Sequence, residues 1–323
     1  MKKPVYVLIV VFLFVVSISA QAPLPSAAPA TPPPPAVAWA YNIPSKNPPP
    51  QKPETGPIHI PGSSKTYLRA QIGNFHNVPD WFPNEHGPAP SVVLHGNGKA
   101  VLACGTCHGM SGLGHPESAN LTGLSTAYFL GQLADFKSGA RKANMMPEIA
   151  AAMSEQEAKE AAAYFASLKR QSSVKVVETD TVPKTYVDLK HMRLPLPGGG
   201  MEPLGKRIIE VPEDVATATV EDPHTKFIAY VPKGSIAKGE KIVMDGAGNI
   251  GVGCTACHGL ALKGLADVPR IAGLSPTYIF RQIISVQNGD RNGAAIQPMK
   301  PFVAPLSVDQ AIDVAAYLGS LPE

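Results

Sequence analysis

The chain has 323 residues, 44% of them hydrophobic, and a formal charge of +3, which is enough length for two domains and enough apolar content for a real core. Two of the positive charges are Lys2 and Lys3, and without them the balance is about +1, so no nucleic-acid partner is expected. The 34 prolines require long non-helical stretches.

Residues 1–20 have the three parts of a secretory signal: Lys2 and Lys3, an apolar run from Val5 to Val16, then small residues up to Ala20. The run is short of the roughly 20 residues that a membrane span needs. No cysteine follows it to take a lipid. If the leader is not cleaved, it becomes a tether. Residues 21–61 read as a Pro-rich disordered spacer, stiffest at Pro32–Pro35 and Pro48–Pro50. From residue 62 the pattern Gly62-x-Ser64-x-x-Tyr67-x-x-x-Gln71 recurs at Gly123-x-Ser125-x-x-Tyr128-x-x-x-Gln132 and at Gly273-x-Ser275-x-x-Tyr278-x-x-x-Gln282. The first of these is either a generic capped helix or the remnant of a third repeat.

All four cysteines fall in two pentapeptides, Cys104-Gly105-Thr106-Cys107-His108 and Cys254-Thr255-Ala256-Cys257-His258. C-x-x-C-H is a covalent haem attachment pattern. Cys104 with Cys107, and Cys254 with Cys257, can each form thioethers to one haem's vinyl groups, and His108 and His258 then lie beneath the irons. A thioredoxin-like redox pair needs only one C-x-x-C and no adjacent His. A four-Cys zinc site is disfavoured because the pairs lie far apart in sequence. Two c-type haems are therefore expected. The leader fits them, since such haems are attached outside the bacterial inner membrane, and a periplasmic location follows.

The two halves repeat each other. His108 and His258 stand 150 residues apart, and the same offset pairs Tyr128 with Tyr278, Gly139 with Gly289 and Arg141 with Arg291. Beyond a short insertion the offset is 153, pairing Met146 with Met299 and Ser154 with Ser307. Ser125 and Ser275 are N-cap candidates, with Pro276 in the first helical turn. Phe129, Leu133 and Phe136, like Ile279, Ile283 and Val286, mark buried helical stripes. Gly139 and Gly289 are the expected stops. Ser154…Glu157 and Ser307…Gln310 are capping boxes that open the last helix of each half. Between the halves, residues 171–232 read as a β-containing connector with strands at Val174–Val177, Arg207–Val211 and Phe227–Val231. The boundaries expected are 62–170 for the first domain with its N-terminal extension and 233–323 for the second.

These residues resemble a tandem dihaem class I cytochrome c, and the likeness covers both haem halves but neither the spacer nor the connector. It implies a mainly α fold: two class I domains joined by a β-containing connector, after a Pro-rich disordered segment. It implies Met146 and Met299 as the sixth ligands of the irons, with Met145 as the competitor of Met146. Pro269-x-Ile271-x-Gly273 resembles the family's P-x-L-x-G, whose Pro carbonyl accepts from the proximal imidazole. The first half departs, with Ala119 where that Pro belongs. Tyr128, Arg141, Tyr278 and Arg291 suit haem propionates, whether or not they serve them. The remaining histidines stay unassigned, with His86 and His95 the nearest alternatives as ligands.

The function implied is an exported carrier of single electrons between respiratory or periplasmic redox proteins, rather than an enzyme. The alternatives are a dihaem cytochrome c peroxidase and the electron-entry subunit of a membrane-bound dehydrogenase or oxidase.

Overall fold

Trp39 lies against Phe280 with ring centroids 4.7 Å apart, so part of the Pro-rich spacer is anchored in the body of the protein. The computed structural model describes residues 35–50, 56–246 and 251–323; the stretch expected to be a signal sequence and the spacer up to residue 34 lie outside the described residues. A 3-10 turn at Pro35–Ala40 buries Val37 and Ala40. Beyond it the amide of Ser45 donates to the Val187 carbonyl at 2.9 Å. The disorder expected for residues 21–61 is therefore corrected over 35–50. Prolines restrict the unfolded chain in advance, so docking these apolar side chains costs less conformational entropy.

In the first half, α1 (Arg69–Ile72), α2 (Ser91–Leu94) and α3 (Gly105–His108) are single turns. They precede α4 (Thr126–Ser138), α5 (Met146–Ala152) and α6 (Glu155–Ser167). The repeat-like stretch at 62–75 does not make the helix of the other two copies. Ser63, not Ser64, engages its hydroxyl, donating to the Trp81 carbonyl at 2.5 Å. Ile58 and Tyr67 pair as an isolated antiparallel bridge, and α1 opens only at Arg69. The 13-residue α4 after Ser125 has no counterpart there, which removes the reading of a third repeat. Phe129, Ala161, Ala162 and Phe165 pack with Val92 and Val93 to form the core of this half.

The connector holds β1 (Val174–Glu178), β2 (Thr181–Pro183), β3 (Thr185–Val187), β4 (Arg193–Pro195), β5 (Met201–Pro203), β6 (Ile209–Pro212), α7 (Val215–Thr219) and β7 (Phe227–Val231). β7 is the centre of a three-stranded sheet, parallel to β1 and antiparallel to β6. β2 pairs with β5 and β3 with β4. Val174, Val176, Ala229 and Val231 share one core with the helices that follow. The sheet is thus a wall of the second half.

That half comprises α8 (Ser235–Asp245), α9 (Thr255–His258), α10 (Pro276–Gln287), a 3-10 turn at Ala294–Met299, α11 (Lys300–Val303) and α12 (Val308–Ser320). Ser125, Ser154, Ser275 and Ser307 each accept from a backbone N–H three residues on, and both capping boxes are closed. α4 ends at Gly139 with φ 78°. α10 ends one residue earlier than expected, at Asn288, and Gly289 then takes φ 77°. α8 crosses α12 at Gly239, where a Cβ would overlap the Asp313 carbonyl. The first half has no long helix in the place of α8. Among the described residues, no helix is long and apolar enough to cross a membrane.

Candidate haem-binding sites

Each pentapeptide forms one helical turn. The amides of Cys107 and His108 both donate to the Cys104 carbonyl, at 3.4 and 3.0 Å, and those of Cys257 and His258 to the Cys254 carbonyl, at 3.3 and 3.0 Å. Residues three and four apart share a helix face, so two thiols and an imidazole project together. Gly109 (φ 71°) and Gly259 (φ 80°) then turn the chain away, in a conformation that favours glycine.

His108 Nδ1 is 2.8 Å from the Ala119 carbonyl and His258 Nδ1 is 2.7 Å from the Pro269 carbonyl. A carbonyl only accepts, so both Nδ1 atoms carry the proton and each Nε2 keeps its lone pair. Burial lowers the pKa of both rings, opposed by these same hydrogen bonds. They stay neutral, the form that binds a metal. Burial likewise pushes the Cys104 thiol up to about 12 and raises Cys107 and Cys254. The first loop keeps its carbonyl acceptor without the proline because the bond is made by backbone, and Ala119 supplies it as well as Pro269 does.

One continuous cavity of about 1850 Å³ runs past both pentapeptides. Small-molecule pockets are usually about 300–1,000 Å³, so this volume suits two large ligands. Its apolar walls include Phe129, Leu133 and Phe165 on one side and Ile279, Ile283 and Leu318 on the other. Met146, the first residue of α5, and Met299, the last of the 3-10 turn, both line it, as does Met145. Met145 is 51% exposed, whereas Met146 is half-buried. His86 and His95 do not line the cavity. His86 is held instead by Asp80 at 3.2 Å and by the Gly87 carbonyl at 2.8 Å. Among the described residues, no group of three or more His, Cys, Asp or Glu side chains is placed to hold a bare metal ion.

Tyr128, Arg141, Tyr278 and Arg291 line the same cavity as both pentapeptides. Arg141 donates to Gln132 Oε1 at 2.7 Å and to Gln282 Oε1 at 3.0 Å, and its guanidinium lies 4.5 Å from the Phe136 ring centroid. Arg291 donates to the Tyr128 hydroxyl at 2.8 Å, Gln132 Oε1 at 2.9 Å and Gln282 Oε1 at 3.2 Å. These partners are all neutral, and Arg291 Nε is buried without one. Against its burial, which alone would raise it, the two guanidiniums pull the Tyr278 phenol below its usual value. Buried charges need counter-charges, and haem carboxylates are of the right sign and chemistry to supply them. The residues present therefore fit the cofactor, in apolar volume, neutral imidazoles, paired thiols and buried cations whose hydrogen-bond partners are neutral.

Other residues join these sites without having been singled out. Gln132 and Gln282 are shared acceptors of both arginines, and their only signal was that they repeat. His115 lines the cavity, and its pKa is lowered to about 3 by burial first and then by His108, Arg281 and His191. Arg281 holds Glu117 and the Pro116 carbonyl, clamping the loop after the first pentapeptide to α10. No local pattern marks such a contact between the halves.

A family model described as Cytochrome c matches residues 236–322. Over 232 residues the chain is 26% identical to the thiosulfate dehydrogenase electron acceptor of Stutzerimonas stutzeri, covering 70% of this chain and 82% of that protein. Over 68 residues it is 38% identical to cytochrome c-554(548) of Halomonas halodenitrificans, covering 21% of this chain and 82% of that protein. Among solved structures, an as-isolated thiosulfate dehydrogenase of Marichromatium purpuratum matches with a TM-score of 0.50 and 21% identity. That alignment covers 70% of this chain and only 38% of the longer one, and the likeness is one of fold.

Proposed function

Because the chain belongs to the cytochrome c family, as a two-haem class I cytochrome that transfers electrons, we propose a role for each residue on the cavity. Cys104 and Cys107 hold one haem and Cys254 and Cys257 the other. His108 and Met146, and His258 and Met299, are the axial ligand pairs. Each haem, when bound, supplies one iron that takes or gives a single electron. Around it the chain does the rest. The Ala119 and Pro269 carbonyls hold the imidazoles in one tautomer and orientation. Thioether ligation favours a high potential. Arg141, Arg291, Tyr128 and Tyr278 bind the propionates, and the apolar walls exclude water.

We place the two haems in tandem domains, 62–170 and 233–323, with residues 171–232 as the connector between them, and the protein in the periplasm. Its partners are redox proteins. By analogy with the Stutzerimonas stutzeri relative, it takes electrons from an exported dehydrogenase, either free or as the entry subunit of a membrane-bound complex. The observation that carries this reading is the pair of equivalent sites, each with two thiols, a neutral imidazole and a methionine on one shared cavity.

The test is an optical spectrum of the purified protein with haem counted per chain, followed by a redox titration. Two haems, a Met–iron charge-transfer band and two one-electron steps are expected. One high-spin haem, with peroxide turnover by the half-reduced protein, would replace the carrier with a peroxidase.

A further inference from the structure

The two pentapeptides are alike in sequence and unlike in exposure. No residue from 101 to 120 is exposed, whereas Val252, Ala256, Cys257, Leu260, Leu265 and Asp267 all are. Met110 is 4% exposed and Leu260, the same position in the second copy, is 91% exposed.

The first edge is covered by chain that, among the described residues, the second lacks. The Phe75 carbonyl accepts from the Ala103 amide at 3.0 Å and from the Thr106 hydroxyl at 3.2 Å. Ala218, Thr219 and Glu221, at the end of α7, line the cavity together with Cys107. Arg69 donates to the Thr219 carbonyl at 2.6 Å and Trp81 to the Val220 carbonyl at 3.0 Å, which fixes the N-terminal extension to the end of α7. Lys190 pairs with Glu221 at 2.5 Å, and the strand pair carrying Lys190 is tied to the spacer through Ser45 and Asn42. Extension, connector and spacer together make a lid.

Resting on the two-haem reading above, we propose that this lid closes the first site to other proteins. Electrons then enter and leave through the face around Cys257, and reach the first site only from the second. The step is a one-electron exchange: the partner loses an electron that the second site gains and passes inward, with no bond made or broken.

The face also indicates its partner. Leu265, 60% exposed, and Val252, 41% exposed, add apolar surface to that of Leu260 on either side of the exposed Cys257 in the chain. Residues 251–267 carry one Lys and one Asp, Lys263 and Asp267, and their formal charges cancel. The complement is a redox protein whose own cofactor edge lies in an apolar, weakly charged rim, bound with little dependence on salt.

Two single substitutions test this on the two-haem holoprotein, after haem content and full reduction by dithionite have been verified. Failure at that preliminary stage would overturn the two-haem reading; the variants test the lid. With a purified monohaem class I cytochrome c as oxidant, Leu260→Asp should slow the loss of both electrons by about tenfold, because docking would bury an unpaired charge. Leu189→Asp, on an exposed lid residue (78% exposed), should slow neither. In hydroxyl-radical footprinting, excess oxidant should protect Leu260 and Leu265 and leave Leu189 unchanged. Slowing of only one electron by Leu260→Asp, slowing by Leu189→Asp, or no slowing by either would overturn the proposal. So would a self-association, abolished by Leu260→Asp, that hides the face.

Discussion

Arg141 and Arg291, the same position in two copies of one repeat, face each other across an antiparallel backbone bridge. The Lys142 amide donates to the Asp290 carbonyl and the Asn292 amide to the Ala140 carbonyl, each at 2.7 Å. The bridge forces two guanidiniums into one cavity, and their hydrogen-bonding side-chain partners there are amides and phenols. Such a pair is costly unless anions join it.

Replacing one of these cations by Arg291→Gln removes positive charge that favours the reduced, less positive irons. Both midpoint potentials should fall. A fall on the order of 60 mV would be a tenfold change in a one-electron equilibrium. A redox titration of the variant beside the parent protein measures it, and unchanged potentials would separate Arg291 from the haems.

The methionines give a more local test. Met146→Ala and Met299→Ala should each abolish the Met–iron charge-transfer band of one haem and lower that haem's potential, because the soft thioether is lost. Met145→Ala should leave band and potentials in place, as Met145 is half in solvent. Optical spectra of the three variants decide between the neighbours.

His115 predicts an acid-sensitive fold. Its folded pKa is lowered to about 3 from 6.5, by burial first and by the nearby cationic and imidazole groups second. Below 6.5 the unfolded chain binds a proton that the folded one refuses. Stability is therefore complete above pH 6.5 and is lost as pH falls from about 6.5 toward about 3. His115→Leu, which copies Leu265 of the second half, should flatten that part of the profile. Thermal melts of both proteins at a series of pH values would reveal it.

Gly239 predicts a steric limit. Alanine there would drive its Cβ into the Asp313 carbonyl and the Tyr317 side chain, so α8 must move off α12. Gly239→Ala should lose about 1–3 kcal/mol despite the better helix propensity of alanine. Denaturant unfolding checks it. Equal or higher stability would mean that the helices slide apart at no cost.

The legible part of the fold was the part made by neighbours in sequence. Ser125, Ser275 and the two capping boxes were readable because a cap is satisfied within three residues, and the helices start where they say. Phe227–Val231 was readable as a strand from its composition. Two expectations failed through contacts at long range. The prolines predict a disordered spacer, but Trp39 finds Phe280 more than two hundred residues away. The stretch at 62–75 copied a helix pattern, but Trp81 and the Ile58–Tyr67 bridge hold it otherwise.

By itself the sequence determined which residue types recur: two thiols and an imidazole at short spacing, present twice, and further along a methionine that repeats between the halves. Only the tertiary structure decided how the two copies differ and how they meet. Whether a pentapeptide is covered or open, and whether Arg141 faces Arg291, depends on which distant segments pack together. That packing follows from buried apolar area and backbone pairing across the whole chain, and no short motif encodes it.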